Sequence, residues 1–253
     1  MSGLLLLHGI GLNRRMWRRC LDPLGTRHRV RALDLLGHGH AGPAPEGATV
    51  ADLADDVASR MDGPAHVVGF SLGTMVAQQL ALEHPALVRS LVLVSAVVDR
   101  SPAESAAVAE RLALAERDFA AAADAAVDRW MPPAWQATDP DLAVELRATL
   151  LGTDHRSYLR CYRVFATADQ VLWPRLPEIA APTLAITGAD DPGSTQEMTH
   201  RLADVIPGAR AVIVPGVRHL LPMQAPDTLV QHILSHTTEV DHDAAAPQAL
   251  HRR

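Results

Sequence analysis

The most constraining feature of this sequence is a serine flanked by glycines, at a junction between two kinds of pattern. The pentapeptide GFSLG at 69–73 follows a strand-like apolar run, 66–70, and opens a helical stretch, 72–83. In that context G-x-S-x-G predicts a tight strand-to-helix turn that presents the hydroxyl of Ser71. The two glycines allow neighbouring backbone to approach closely. The alternative is a serine that only caps the helix.

Strand-like apolar runs alternate with helical patterns along most of the chain. Strands are predicted at 4–7, 29–33, 66–70, 87–98, 183–187 and 211–214, and helices at 13–20, 50–61, 72–83, 194–206 and 226–236. This alternation predicts an α/β fold with a mostly parallel sheet covered by helices on both faces. Such sheets place their functional loops at the carboxyl ends of the strands.

Residues 100–177 follow a different pattern. They are rich in Ala and Arg, show helical periodicity, contain no strand-like run and are interrupted by MPPAW at 131–135. We therefore predict three or four helices, inserted as a cap into an α/β core formed by residues 1–99 and 178–237. A length of 253 residues suits one core with such an insertion. Residues 238–253 lack periodicity and are predicted to form a disordered tail.

Charge and hydropathy exclude several kinds of partner. The formal net charge of -6 and the lack of a Lys/Arg block argue against nucleic acid. No apolar run approaches the roughly 20 residues of a membrane span. The run LLLL at 4–7 is too short for the core of a signal peptide. We expect a cytoplasmic protein that acts on a small molecule, with neither nucleic acid nor membrane as a partner.

Neither the cysteines nor the histidines show the spacing of a metal site. Cys20 and Cys161 lie far apart and form no CxxC pair, so we expect buried free thiols. His236, His242 and His251 are irregularly spaced near the end of the chain, which is not typical of metal ligands. The sequence therefore predicts no metal site.

A serine becomes a strong nucleophile only when a base takes its proton. In this kind of sheet the order along the chain is serine, acid, histidine. Asp191 in TGADDP and His219 in PGVRHLL satisfy that order, and each follows a predicted strand. His219 would accept the Ser71 proton, while Asp191 would orient and stabilise the imidazole. Asp190 is the alternative acid.

The same chemistry needs hydrogen-bond donors for a tetrahedral oxyanion. The backbone N–H of Leu72, directly after the serine, is one candidate. The other lies in HGIG at 8–11, where Ile10 stands between two glycines. The alternative for HGIG is a glycine-rich strand end. His38 and His40, in GHGH at 37–40, are expected to shape their loop.

In chain order, the stretches HGIG, LDLLGHGHAG, VVGFSLGT, ITGADDP and PGVRHL resemble the motifs of the α/β-hydrolase superfamily. The resemblance extends from residue 4 to residue 237. It implies an α/β-hydrolase sheet with an inserted helical cap and hydrolysis through an acyl-enzyme on Ser71. No metal or organic cofactor is implied, because serine, histidine and aspartate supply nucleophile, base and acid.

The inserted region resembles the cap of the 3-oxoadipate enol-lactonases, over the stretch DRWMPPAWQATDPDLAVELRATLLGTDHRSYLRCYRVFATAD. This resemblance implies the opening of a small, acidic, unsaturated lactone. It also implies that Trp130, Trp135 and Tyr158 line the substrate pocket, and that Arg160 or Arg163 meets a substrate carboxylate. For each of these five, a place in the core or on the surface is the alternative.

The chain departs from the superfamily at its beginning. The family opens with two further strands before the one that carries HGIG, and this chain lacks them. The strand at 29–33 would then form an apolar edge that is prone to association. A misassigned start codon or a homodimer that covers this edge would each account for the difference.

Three functions are consistent with these patterns, because a fold does not fix a function. The first is cleavage of a small ester or lactone. The second uses the same three residues for carbon–carbon bond hydrolysis, perhydrolysis or a biosynthetic lyase or cyclase step. The third is a non-catalytic binding protein derived from a hydrolase.

Overall fold

The computed structural model describes residues 1–245, and a single six-stranded sheet lies at its centre. All neighbouring strands pair in parallel, in the order β2-β1-β3-β4-β5-β6. The strands are β1 Gly3–Leu7, β2 Arg29–Leu33, β3 Ala65–Phe70, β4 Val88–Val94, β5 Thr183–Gly188 and β6 Arg210–Val214. The predicted parallel α/β sheet is confirmed. Within the described residues, β2 forms one edge and is partly exposed, whereas β3 and β5 are buried throughout.

Helices cover both faces of this sheet, as alternation with parallel strands requires. They are α1 Arg18–Gly25, α2 Val50–Ser59, α3 Leu72–Glu83, α4 Pro102–Arg117, α5 Phe119–Trp130, α6 Pro133–Thr138, α7 Pro140–Leu151, α8 His155–Leu172, α9 Gln196–Val205, α10 Leu221–Gln224 and α11 Pro226–Ala245. In residues 1–245 no helix is both long enough and apolar enough to cross a membrane. The helix α3 has the predicted bounds and is almost entirely buried.

Five helices, α4 to α8, connect β4 to β5, where three or four were expected. The predicted number of helices was wrong because a new helix begins at each of two prolines, whereas the sequence suggested a single interruption. Pro133 opens α6 and Pro140 opens α7, each at a first-turn position where the missing N–H has no partner to lose. Asp118 likewise ends α4 and caps α5 by accepting a bond from the Ala121 amide.

The strand predicted at 87–98 is shorter in the structure, because β4 ends at Val94. Ser95 has a φ of 49° and Asp99 a φ of 46°, so the backbone leaves the extended conformation directly after the strand. Val97 and Val98 remain buried in the loop that follows. A continuous apolar run therefore marked burial here and not the length of the strand.

The prediction of a disordered tail was wrong for residues 238–245, which continue α11. The Asp241 carboxylate accepts hydrogen bonds from Ser2 Oγ at 2.8 Å, His66 Nε2 at 3.1 Å and Arg89 Nη2 at 3.1 Å. These bonds join the end of the helix to the amino ends of β1, β3 and β4. The apolar pattern that ends near residue 236 gave no sign of this polar contact. Residues 246–253 lie outside the described residues.

We expect Asp241→Ala to lower the free energy of unfolding by about 1–3 kcal/mol, because it leaves Nε2 of the buried His66 imidazole without a partner. Asp243→Ala is the matched control, since that side chain lies on the same helix but is 89% exposed. Urea unfolding of the two variants measures the difference. Equal stability of both would contradict the contact between α11 and the sheet.

Candidate active site

The turn between β3 and α3 places Ser71 in a strained conformation at the carboxyl end of the sheet. Its φ is 51° and its ψ is -113°, a combination that a residue with a side chain rarely adopts. A Cβ on Gly69 would lie 2.3 Å from the carbonyl oxygen of Gly73, and one on Gly73 would lie 2.6 Å from that of Leu7. Both glycines are therefore required for the turn to pack against itself and against β1.

Asp191 and His219 meet at the same edge, on the loops that follow β5 and β6. His219 Nδ1 lies 2.7 Å from Asp191 Oδ2. The other carboxylate oxygen accepts bonds from the amides of Gly193 at 2.9 Å and Ser194 at 3.0 Å. The side chain of Asp190 is exposed to solvent. The structure therefore pairs the histidine with Asp191 and not with its neighbour.

Burial acts to raise the pKa of Asp191, but its environment more than offsets this effect. The pKa of Asp191 is held below its ordinary value by the charge of His219 and by the hydrogen bond that His219 donates. The two amide donors act in the same direction. The carboxylate thus stays ionised beside the imidazole. An ionised partner at Nδ1 fixes the tautomer whose free nitrogen is Nε2.

Ser71 and His219 line one cavity beneath the helices α4, α5 and α8. Within residues 1–245 no hydrogen bond joins the serine hydroxyl to the imidazole, so one of them must shift before a proton can pass between them. The ring of Phe70 packs against His219 at a centroid distance of 5.0 Å, and the ring of Trp130 stacks on it at 6.2 Å. These aromatic neighbours restrict the imidazole to the cavity.

Two backbone amides, one on a residue that lines the cavity and one directly after Ser71, are without an acceptor in the described part of the chain. Leu72 opens α3, where the first amides of a helix have no intrahelical partner. Ile10 is buried and lines the cavity, and its amide donates to no protein acceptor. The amide of Gly11, in contrast, donates to His38 Nε2 at 3.0 Å. The amides of the two predicted donors, Ile10 and Leu72, therefore have no protein acceptor within residues 1–245.

Two buried histidines hold the loop that carries Ile10. His8 Nε2 accepts a bond from the Leu35 amide at 2.9 Å, and the ring of His38 packs edge-on against His8 at 5.0 Å. Because both rings accept a bond from a backbone N–H, both are neutral. Burial lowers the pKa of His8 to about 3 and that of His38 to about 4, from an ordinary 6.5. They position the loop that carries Ile10, and His38 Nδ1 also lies 3.0 Å from the carbonyl oxygen of Leu36, next to its own loop.

The resemblance to the enol-lactonase cap implied five pocket side chains, and only some of them lie at the cavity. Trp130 lines it, and Tyr158 lines an adjoining recess. Trp135, on α6, lines neither. Arg160 donates to the carbonyl of Ala44, and Arg163 is exposed and pairs with Glu116. Neither Arg160 nor Arg163 therefore lines the cavity that contains Ser71, where the resemblance implied a substrate carboxylate.

Sequence reasoning missed three arginines that do line the cavity, Arg100, Arg111 and Arg129. They lie just before or within helices α4 and α5, where arginine is frequent. Helical periodicity alone does not show which of these side chains turns inward, because several share a face with apolar residues.

One cluster of possible metal ligands occurs in residues 1–245, formed by His28, His66 and Asp241. It lies at the amino ends of the strands, at the opposite edge of the sheet from Ser71. Every imidazole nitrogen in it already has a protein partner: Ser2, Thr237, Ser90 or Asp241. These residues form the polar contact that holds α11 against the sheet.

The two neutral histidines predict a pH dependence of stability. Because their pKa values are below 6.5 in the folded chain, the unfolded chain binds more protons as the pH falls from 6.5 towards 4. The free energy of unfolding should therefore decrease over that range. His38→Asn should flatten this decrease, measured as Tm against pH. His200→Asn, on an exposed position of α9, is the control; equal slopes in the two variants would contradict the account.

Comparison with known proteins places these features in a family. A family model described as the alpha/beta hydrolase family matches residues 4–232. The (E)-2-((N-methylformamido)methylene)succinate hydrolase of Acinetobacter baylyi is 28% identical over 233 residues, covering 90% of this chain and 87% of that protein.

Solved structures give the same result. A hydrolase from Pseudomonas aeruginosa superposes with a TM-score of 0.84 and 31% identity, covering 93% of this chain and 90% of the other. The enol-lactonase from Burkholderia xenovorans gives a TM-score of 0.86 and 26% identity, over 94% of this chain and 91% of the other. The family model covers most of the sequence, and the chain belongs to the alpha/beta hydrolase family.

Proposed function

We propose that this hydrolase cleaves a small carboxylic ester or lactone through an acyl-enzyme on Ser71. The observation that carries the proposal is the 2.7 Å contact between His219 Nδ1 and Asp191, in the same cavity as a serine held in a strained turn. The free amide of Ile10 belongs to a residue that lines this cavity, and the free amide of Leu72 directly follows Ser71. Nucleophile, base, acid and oxyanion donors are thus provided without a metal or cofactor.

In the proposed reaction, Ser71 Oγ attacks the substrate carbonyl while His219 Nε2 takes its proton. Asp191 stabilises the resulting imidazolium and does not itself become protonated. The amides of Ile10 and Leu72 donate to the tetrahedral oxyanion. The imidazolium then protonates the leaving oxygen, and the carbonyl–oxygen bond breaks. Water, activated by the same imidazole, attacks the acyl-enzyme and releases the acid.

We further propose that α4 to α8 act as a cap over the reacting carbonyl. Each of α4, α5 and α8 contributes a side chain to the lining of the cavity, namely Val108, Trp130 and Phe165. A cap of this kind limits the substrate to small molecules and excludes bulk water. An enol-lactonase and a succinate-derivative hydrolase among the relatives support a small ester or lactone as substrate.

Ser71→Ala is expected to lower kcat by about 10⁶ on a 4-nitrophenyl ester, because it removes the hydroxyl that forms the acyl-enzyme. Steady-state hydrolysis with the spontaneous rate subtracted is the measurement. Ser235→Ala, at an exposed position of α11, should keep the wild-type rate. A Ser71→Ala variant that retains most of its activity would contradict the mechanism. A folded wild type that turns over neither esters nor lactones would remove the proposed function.

Asp191→Asn is expected to lower kcat by roughly 10⁴, because an amide favours the wrong imidazole tautomer. Asp190→Asn is the matched control at the adjacent position, and it should change kcat by less than about threefold because the side chain is exposed. The same ester assay compares the two. Equal losses in both variants, or a loss only at Asp190, would show that the acid has been misassigned.

A further inference from the structure

The cavity that contains Ser71 has a strong imbalance of charge. Three guanidinium groups line it, those of Arg100, Arg111 and Arg129, and the lining contains a single carboxylate, Asp191. Both oxygens of that carboxylate are already bonded, to His219 and to two backbone amides. It is therefore not available to neutralise the arginines, and among the described residues only Arg100 has another carboxylate beside it, that of Asp169.

Arg100 is fixed in place and still offers a free donor. Its side chain is 2% exposed. Nη1 donates to Asp169 Oδ1 at 2.7 Å and to the carbonyl of Phe165 at 3.1 Å, and the guanidinium lies 4.5 Å from the centre of the Phe165 ring. Nη2 is buried and has no acceptor in the described residues. A buried donor without a partner is costly, so it indicates a group that binds there.

Arg111 and Arg129 have no carboxylate within ion-pair distance in residues 1–245. Arg111 Nε donates to the Tyr162 hydroxyl at 3.3 Å, which orients the guanidinium without neutralising it. Arg129 makes a long contact of 3.5 Å to the carbonyl of Ala125 and lies 5.8 Å from the Trp130 ring. Both also border the apolar recess next to the cavity. These two side chains thus bring uncompensated positive charge to the cavity wall.

The three arginines also affect one another. Burial, and in part the charge of Arg111, lowers the pKa of both Arg100 and Arg129 from the ordinary value. A guanidinium stays protonated in proteins even so. Held together along one cavity, like charges repel, and an anion bound beside them would relieve that repulsion.

We propose that Arg100, Arg111 and Arg129 form an anion subsite that binds a carboxylate of the substrate, so that the natural ester or lactone is itself an acid. This inference rests on the proposed function, because it specifies the substrate of that site. The planar fork of each guanidinium suits the two oxygens of a carboxylate. Bound there, the carboxylate would anchor the substrate and hold its scissile carbonyl near Ser71.

Two matched substrates test the subsite. Mono-4-nitrophenyl glutarate carries a free carboxylate on its acyl chain, whereas 4-nitrophenyl pentanoate has a similar chain without charge. We expect Arg111→Met and Arg129→Met each to lower kcat/KM for the glutarate by about 100-fold, since each removes one partner of a buried charge pair. Both variants should lower kcat/KM for the pentanoate much less than for the glutarate, because the pentanoate carries no charge that an arginine could bind. Arg129→Lys should restore part of the glutarate rate.

Arg163→Met is the control, because that arginine is exposed on α8 and pairs with Glu116 away from the cavity. It should leave both substrates unaffected. Equal losses on both esters in Arg111→Met and Arg129→Met would show a structural role and overturn the subsite. A wild type that does not prefer the glutarate over the pentanoate would overturn it as well.

A binding measurement separates this inference from the proposed function. Calorimetric titration of Ser71→Ala with glutarate should show binding. The double variant Ser71→Ala/Arg129→Met should bind glutarate at least tenfold more weakly. If Ser71→Ala binds glutarate while the wild type hydrolyses neither ester, the subsite stands and the proposed function fails. If the wild type hydrolyses pentanoate through Ser71 but glutarate neither binds nor competes, the proposed function stands and the subsite fails.

Discussion

One close approach between backbones organises the site. A Cβ on Gly73 would lie 2.6 Å from the carbonyl oxygen of Leu7, so α3 can start only where a glycine meets the end of β1. That contact brings the first amide of α3 beside the loop that carries Ile10. It also holds Ser71 at a φ of 51° against the carboxyl end of the sheet. Strain of this kind persists only where surrounding packing fixes it, and here β1 and β4 both do so.

The charged groups near Ser71 separate into two systems with different surroundings. Both carboxylate oxygens of Asp191 have hydrogen-bond partners, and the carboxylate keeps His219 in one tautomer. This arrangement needs no ligand to complete it. The arginines that line the cavity still lack hydrogen-bond or ionic partners. Arg100 retains an unbonded buried donor, and Arg129 has no anionic partner among the described residues. Proton transfer and substrate recognition thus depend on separate sets of side chains in one cavity.

Much of the fold could be predicted from the sequence because its signals are local. The turn at Ser71, the bounds of α3 and the succession of strands and helices along the chain follow from glycine placement and apolar periodicity, which short-range sterics dictate. The residues at the strand ends, Asp191 and His219, were found from chain order. That the carboxylate facing His219 belongs to Asp191, and not to Asp190, is a matter of which side chain turns inward.

What the sequence did not show depends on contacts between distant segments. The end of α11 is held by Asp241 against Ser2 and His66, and nothing in its own composition indicates a helix there. The arginines of the cavity wall were missed for a similar reason. Arg163 and Arg129 look alike in an Arg-rich helical region, and only the packing of α4, α5 and α8 over the sheet points one outward and the other inward.

The central claim, that Ser71 is an activated nucleophile, is tested most directly by intact-mass analysis after treatment with a small fluorophosphonate. Such a reagent reacts with a serine whose proton a neighbouring base removes and whose oxyanion is stabilised. The account predicts one adduct on the wild type and none on Ser71→Ala. An adduct on Ser71→Ala at the same rate, or none on the folded wild type, would contradict it.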